Sequence, residues 1–118
     1  MINMEPGIYM IGDPCYVVPS DDWVPLLEKS DYFRKPVGTT PDGKYVVAFP
    51  TEYGDGVYPD NEGNAYSVDA GIIGIVNVDD FDDDNDLMTV HEFIEPFTCY
   101  KDGPVLHFGH IIIDTDSL

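Results

Sequence analysis

Cations are scarce in this chain. Five Lys and Arg residues stand against 23 Asp and Glu, a formal net charge of −18 at pH 7. Summed like charge of that size raises a long-range barrier against nucleic acid, phosphate-rich ligands and anionic membranes. A charged macromolecular partner therefore has to present a basic surface. Cysteine is scarcer still, with Cys15 and Cys99 the two present. Standing 84 positions apart, they form no closely spaced cysteine pair of the kind a zinc motif uses. The opening residues Met1 to Gly7 lack a basic region followed by an apolar run, so no secretion signal is expected. Two reduced thiols packed as small hydrophobes are expected rather than a disulfide. Long hydrophobic runs are missing as well. The longest uncharged one, Ala70 to Val76, contains two glycines, and a membrane span is excluded on length. The expected compartment is the cytoplasm.

What is present suffices for a core. In 118 residues, 43% are hydrophobic and 13% aromatic, which argues for one folded domain over residues 1–118 and against intrinsic disorder. The charge is unevenly placed. Residues 1–44 carry seven acids and four bases, whereas residues 45–118 carry sixteen acids and one base, Lys101. The latter part is almost a pure anion.

Gly7 to Gly12 reads as a strand broken by Asp13-Pro14, with extended structure resuming at Cys15 to Val18. Trp23, Leu26 and Leu27 have helical spacing. Asp22 is the N-cap candidate, with Pro25 in the first turn, and the helix lies near residues 22–34, ending before Pro36. Beyond it the pattern changes to alternation and turns. Pro41-Asp42-Gly43 leads into a strand at Lys44 to Phe49, and Asn61 to Asn64 leads into one at Ala65 to Val68. Gly71 to Val78 reads as a central strand apolar on both faces. Residues 92–100 form a strand interrupted by Pro96, and Lys101 to Pro104 turns into a last strand, Val105 to Asp114. The expected fold class is α+β: a mostly antiparallel sheet of about six strands with one helix.

Asn77 to Asp86, NVDDFDDDND, invites a calcium reading. In the register starting at Asp80, Asn85 falls where an EF-hand loop needs glycine and His91 where it needs glutamate. Starting at Asp82 places Leu87 and Phe93 there instead. No metal site is expected. His107 and His110 are an odd distance apart and point to opposite faces of a regular strand, unless Gly109 bulges. Cys15 has no local signature of a nucleophile. No catalytic residue and no cofactor is assigned, and the protein is not expected to be an enzyme. The loop Tyr53-Gly54-Asp55-Gly56-Val57-Tyr58 lacks the Gly-Lys-Ser/Thr ending, following helix and cation of a phosphate cradle. It remains as an alternative ligand loop through Tyr53, Gly54, Asp55, Gly56 and Tyr58. The candidate partner-binding residues are Asp79, Asp80, Asp82, Asp83, Asp84 and Asp86 with Glu92 and Glu95. In an extended segment, alternate aspartates share a face about 6.6 Å apart. A DNA duplex presents one charge per roughly 1.7 Å of axis, so separated carboxylates can imitate its field without base chemistry.

Three segments, GDPCYV (Gly12 to Val17), YGDGVYPDNEGNAYSVDAGIIG (Tyr53 to Gly74) and HFGHIIIDT (His107 to Thr115), together resemble a group of uncharacterised small proteins of tailed bacteriophages. The resemblance implies a phage-type protein made in the cytoplasm of a bacterial host, and carries over no catalytic residues. In size and charge the chain is also similar to phage DNA-mimic inhibitors, though its β-rich pattern differs. The resulting expectation is a non-enzymatic host-defence inhibitor whose anionic surface engages a basic host protein, with no direct contact to nucleic acid or membrane. The alternatives are a small-ligand sponge for a nucleotide signal and a virion or assembly component.

Overall fold

The computed structural model describes residues 1–81 and 87–116. Strands β2 (Gly7–Gly12), β3 (Val37–Thr39), β4 (Tyr45–Pro50), β7 (Ile72–Asn77) and β8 (Thr89–Phe93) form an antiparallel sheet in the order β3-β4-β7-β2-β8. A second antiparallel sheet runs β1-β9-β10-β11, from β1 (Ile2–Met4), β9 (Phe97–Asp102), β10 (Val105–Phe108) and β11 (Ile111–Asp114). The hairpin of β5 (Gly56–Pro59) and β6 (Ala65–Val68) makes a third.

The inner strands of the five-stranded sheet are buried on both faces. Tyr9, Ile11, Val47, Phe49, Ile73 and Ile75 point toward the four-stranded sheet, where Cys99, Leu106, Phe108, Ile111 and Ile113 meet them. Met10, Val46, Ala48, Ile72 and Val76 alternate to the opposite face and pack on Val18, Leu26 and Phe33 of the helical side. This is the period of two expected of a strand, with apolar residues in both phases. The expected central strand is therefore β7, between β4 and β2. Each isoleucine fully buried there contributes about 1.5–3 kcal/mol. Gly74 is required for close approach: a Cβ on it would lie 2.8 Å from Ala48 Cβ, 2.9 Å from Pro14 Cγ and 2.9 Å from the Val47 carbonyl.

The mostly antiparallel sheet with one helix stands, but the expected count of about six strands is too low. The described residues hold eleven strands in three sheets. The single strand expected over residues 92–100 is two, because at Ile94-Glu95-Pro96 the chain leaves β2's partner and joins the other sheet. Proline cannot donate to a continuing ladder. Likewise Val105 to Asp114 is a hairpin, with Gly109 at φ +60° in its turn and Phe108 opposite Ile111. Cys15 is not extended. Pro14–Tyr16 is a 3-10 turn in which the Asp13 carboxylate accepts from the Cys15 N–H at 3.0 Å.

The helix, α1 (Ser20–Lys29), starts and ends earlier than residues 22–34. Pro19 is its N-cap and Asp22 lies inside it, so Pro25 falls in the second turn and cannot donate to the exposed Asp21. At the far end the buried Ser30 hydroxyl donates to the Leu26 carbonyl at 2.9 Å and accepts from the Phe33 N–H at 3.2 Å. Asp31, Tyr32 and Phe33 then take φ of 52°, 55° and 60°, a left-handed turn that costs about 1–2 kcal/mol per residue. The burial of Phe33 against Leu26 holds it in place.

Gly74→Ala is expected to lower stability by about 1–3 kcal/mol through overpacking, measured by chemical denaturation; an unchanged midpoint would mean that the three contacts relax freely.

Candidate functional site

Besides Asp42, which is paired with Lys44, five described carboxylates reach one end of the sandwich from three separated chain segments. Glu5 lies in the turn between β1 and β2, Asp79 and Asp80 follow β7, and Glu92 and Glu95 belong to the end of β8 and the turn after it. The registers bring them together: Met4 pairs with Phe97, Gly7 with Phe93 and Ile8 with Glu92, while the Val78 N–H donates to the Ile8 carbonyl at 3.2 Å. Asn77 shapes the exit from β7, its side-chain oxygen accepting from the Asp79 N–H at 2.9 Å and its carbonyl from the Asp80 N–H at 3.1 Å. Asp79, Glu92 and Glu95 are exposed and Asp80 is half-buried. Asp82, Asp83, Asp84 and Asp86 lie outside the described residues. The cation brought to this end is Lys44, whose ammonium lies 3.4 Å from Asp42 and 5.4 Å from the Phe81 ring centroid.

Beside these acids a cleft of about 460 Å³ opens between the sheets, with Ile2, Met4, Tyr9, Val47 and Ile75 among its walls and Glu5 and Asp80 at its edge. A second cleft of about 460 Å³ lies further along β1. Arg34 and Lys101 line it together with Phe33 and Tyr100, and among the described residues no carboxylate does.

The alternative ligand loop is folded on itself. Tyr58 is fully buried in the inner core and its hydroxyl donates to the Gly54 carbonyl at 2.8 Å. Gly54 needs its φ of +77°, and Gly71 packs directly against it. Tyr53 and Asp55 are exposed and Gly56 begins β5. The Tyr53 hydroxyl donates to Asp116, and that hydrogen bond to a carboxylate raises its pKa. The loop thus presents Tyr53 and Asp55 to solvent and keeps Tyr58 inside.

Two polar constellations carry no motif in the sequence. The buried Asp13 accepts from the Cys15 N–H with one oxygen and from the Asp69 and Ala70 N–H groups at 2.9 and 2.6 Å with the other. It ties GDPCYV to the VDAG of the second segment, so those residues form a clamp. Burial, with Asp13 alongside, pushes the Cys15 thiol up to about 12, which keeps it protonated. Cys99, also free, is raised to about 12 by burial in the inner core.

The second constellation is Asp60, Tyr66 and His91. Asp60 accepts from the Glu62 and Asn64 N–H groups at 2.7 and 2.9 Å, from the Asn64 amide at 3.0 Å and from the Tyr66 hydroxyl at 2.7 Å. Burial works against its charge, but these bonds outweigh burial and lower its pKa. Burial first, and Asp60 second, raise the Tyr66 hydroxyl, which stays protonated. Its one proton goes to Asp60, so at 3.2 Å it accepts from His91 Nε2. Burial lowers the pKa of His91 and favours the neutral ring. The chain of bonds fastens the β5–β6 hairpin to β8. His110 lies 3.8 Å from Glu62, and His107 stacks on Tyr100 at 4.3 Å, so Gly109 does not bring the two histidines together. Among the described residues no group of three or more His, Cys, Asp or Glu is arranged to hold a metal ion. No helix of the described residues is long and apolar enough to cross a membrane.

No protein-family model matches the chain, and no curated protein or solved structure matches it.

Because the folded state holds His91 below the usual histidine value, the unfolded chain takes up that proton first. Relative to His91→Gln, the unaltered protein is expected to lose stability as pH falls from about 7 through about 6.5. Parallel pH-dependent melts of the two proteins test this.

Proposed function

We propose that the protein is a non-enzymatic acidic interaction protein that inhibits a host defence or nucleic-acid-binding protein by engaging its basic surface. The interaction runs through the 79–86 segment with Glu92 and Glu95, in the cytoplasm of a bacterial host. The observation that carries this is convergence. Glu5, Asp79, Asp80, Glu92 and Glu95 come from three segments to one end of the sandwich, in a chain of net charge −18. Spaced carboxylates on a rigid frame make a field of one sign, which steers a basic partner and excludes nucleic acid. An enzyme reading has less support, since both thiols are held protonated and the hydroxyl of Tyr66 is committed to Asp60.

The test is retention of proteins from a bacterial lysate at low and high salt, with a variant carrying Asn at positions 79, 80, 82, 83, 84 and 86 in parallel. A nucleic-acid-binding enzyme is expected to be retained at low salt, released at high salt and by duplex DNA, and lost with the variant. Retention that ignores salt and the six substitutions would overturn the proposal.

A nucleotide-signal sponge has one specific observation in its favour, the second cleft. There Arg34 and Lys101 supply cations, and Tyr100 supplies a ring, without a carboxylate among the described lining residues. The buried position of Tyr58 moves this reading away from the Gly54 loop. If it holds, a panel of nucleotides raises the melting temperature, and Arg34→Ala with Lys101→Ala removes the shift. No shift with any nucleotide would dismiss it.

A further inference from the structure

The two long sides of the sandwich are finished differently. On the β11–β8 side the β5–β6 hairpin bridges both sheets: the Asn61 N–H donates to the Ile112 carbonyl at 3.0 Å, and Tyr66 meets His91 at 3.2 Å. On the opposite side β1 and β3 are the edges, and there the cleft of about 460 Å³ runs in between the sheets. It reaches the core, since Val47 and Ile75 on its floor are only 4% and 1% exposed. Ile2, Met4 and Val37 add apolar wall, and Tyr9 and Tyr45 add rings. The Tyr9 hydroxyl donates to the Glu5 carbonyl at 2.8 Å, which holds the turn bearing Glu5 at the edge of the cleft. Among the described residues, Glu5 and Asp80 are the charged members of the lining, and no Lys, Arg or His belongs to it.

We infer that this cleft is the anchor site for the basic partner: an aromatic or aliphatic side chain enters between the sheets, and the arginine or lysine next to it meets Glu5 and Asp80. The inference rests on the acidic-interaction proposal and gives it a specificity element. The volume is within the range of roughly 300–1,000 Å³ typical of sites that enclose an organic group. It is more than a guanidinium head fills. Glu5 is exposed and Asp80 half-buried, so their pull on a cation is screened by salt and the apolar walls supply the selectivity. A purely acidic surface would hold any polycation alike, whereas a cleft of this lining selects a basic segment that carries an apolar residue. Interfaces concentrate their affinity in such central pockets.

The test uses the full chain and three terminally blocked tripeptides, Arg-Trp-Arg, Arg-Gly-Arg and Glu-Trp-Glu, followed by methyl and amide NMR at low ionic strength. Arg-Trp-Arg is expected to shift the methyl signals of Ile2, Met4, Val47 and Ile75 and to bind about tenfold more tightly than Arg-Gly-Arg. Arg-Gly-Arg is expected to move only amides at the acidic end. Val37→Trp, which fills the mouth from a partly exposed edge position, should remove the tenfold difference. Glu5→Gln with Asp80→Asn should weaken Arg-Trp-Arg by about threefold or more. Equal affinity of the two basic peptides with no methyl shifts would overturn the cleft and leave the acidic surface standing. Binding of Glu-Trp-Glu as tight as that of Arg-Trp-Arg would overturn the charge selection. Failure of every basic peptide to bind would overturn the acidic proposal and the cleft together. The peptide comparison on the unaltered chain decides the matter even where Val37→Trp disturbs β3.

Discussion

Burial of both faces of β7 is the constraint on which the rest of the molecule depends. A strand with apolar residues in both phases cannot lie on a surface, so β4 and β2 flank it and a layer covers each side. The four-stranded sheet takes one face and α1 with the left-handed turn behind it takes the other. Gly74 lets Ala48 and Pro14 close on the strand from two directions. Once these layers are in place, most of the acids have nowhere to go except ends, turns and edges. That is why so anionic a chain can hold an apolar interior.

Asp13 is the exception, and it is instructive. A carboxylate with no exposure survives because three N–H groups satisfy it, and among the described residues no buried side-chain polar atom lacks a partner. Its effect is to fasten the chain after β2 to the chain before β7, two segments more than fifty residues apart. Asp60 does similar work for the β5–β6 hairpin through Tyr66 and His91. Both constellations tie together segments that are distant in the chain. The proposed interaction instead uses the surface, where the open β1–β3 side and the acidic end adjoin.

Much of the architecture was legible in the sequence. The two-phase apolar run at residues 72–76 identified the central strand, and turn residues such as Pro41-Asp42-Gly43 and Lys101 to Pro104 marked where strands begin. The miscounts share one cause. Three-residue β1 and β3 carry no periodicity of their own and exist because β9 and β4 offer them hydrogen bonds. Pro96 interrupts one expected strand and Gly109 lies inside another, whereas each is a crossing or reversal whose outcome depends on which sheet supplies the next partner. The helix boundaries shifted because Ser30 and Phe33, rather than the proline pattern, end it.

The sequence alone determined the sign and amount of charge, the absence of a long apolar run, the phase of the core strands and the candidate aspartates, since these are properties of residue type and spacing. Only the tertiary structure decided that Glu5, Asp80 and Glu92 belong to one end, that Tyr58 is core and Tyr53 is not, and that a cleft separates the sheets on the β1 side. Those facts follow from register and from which edges are bridged, and pairing between distant strands is an energy that no local segment contains.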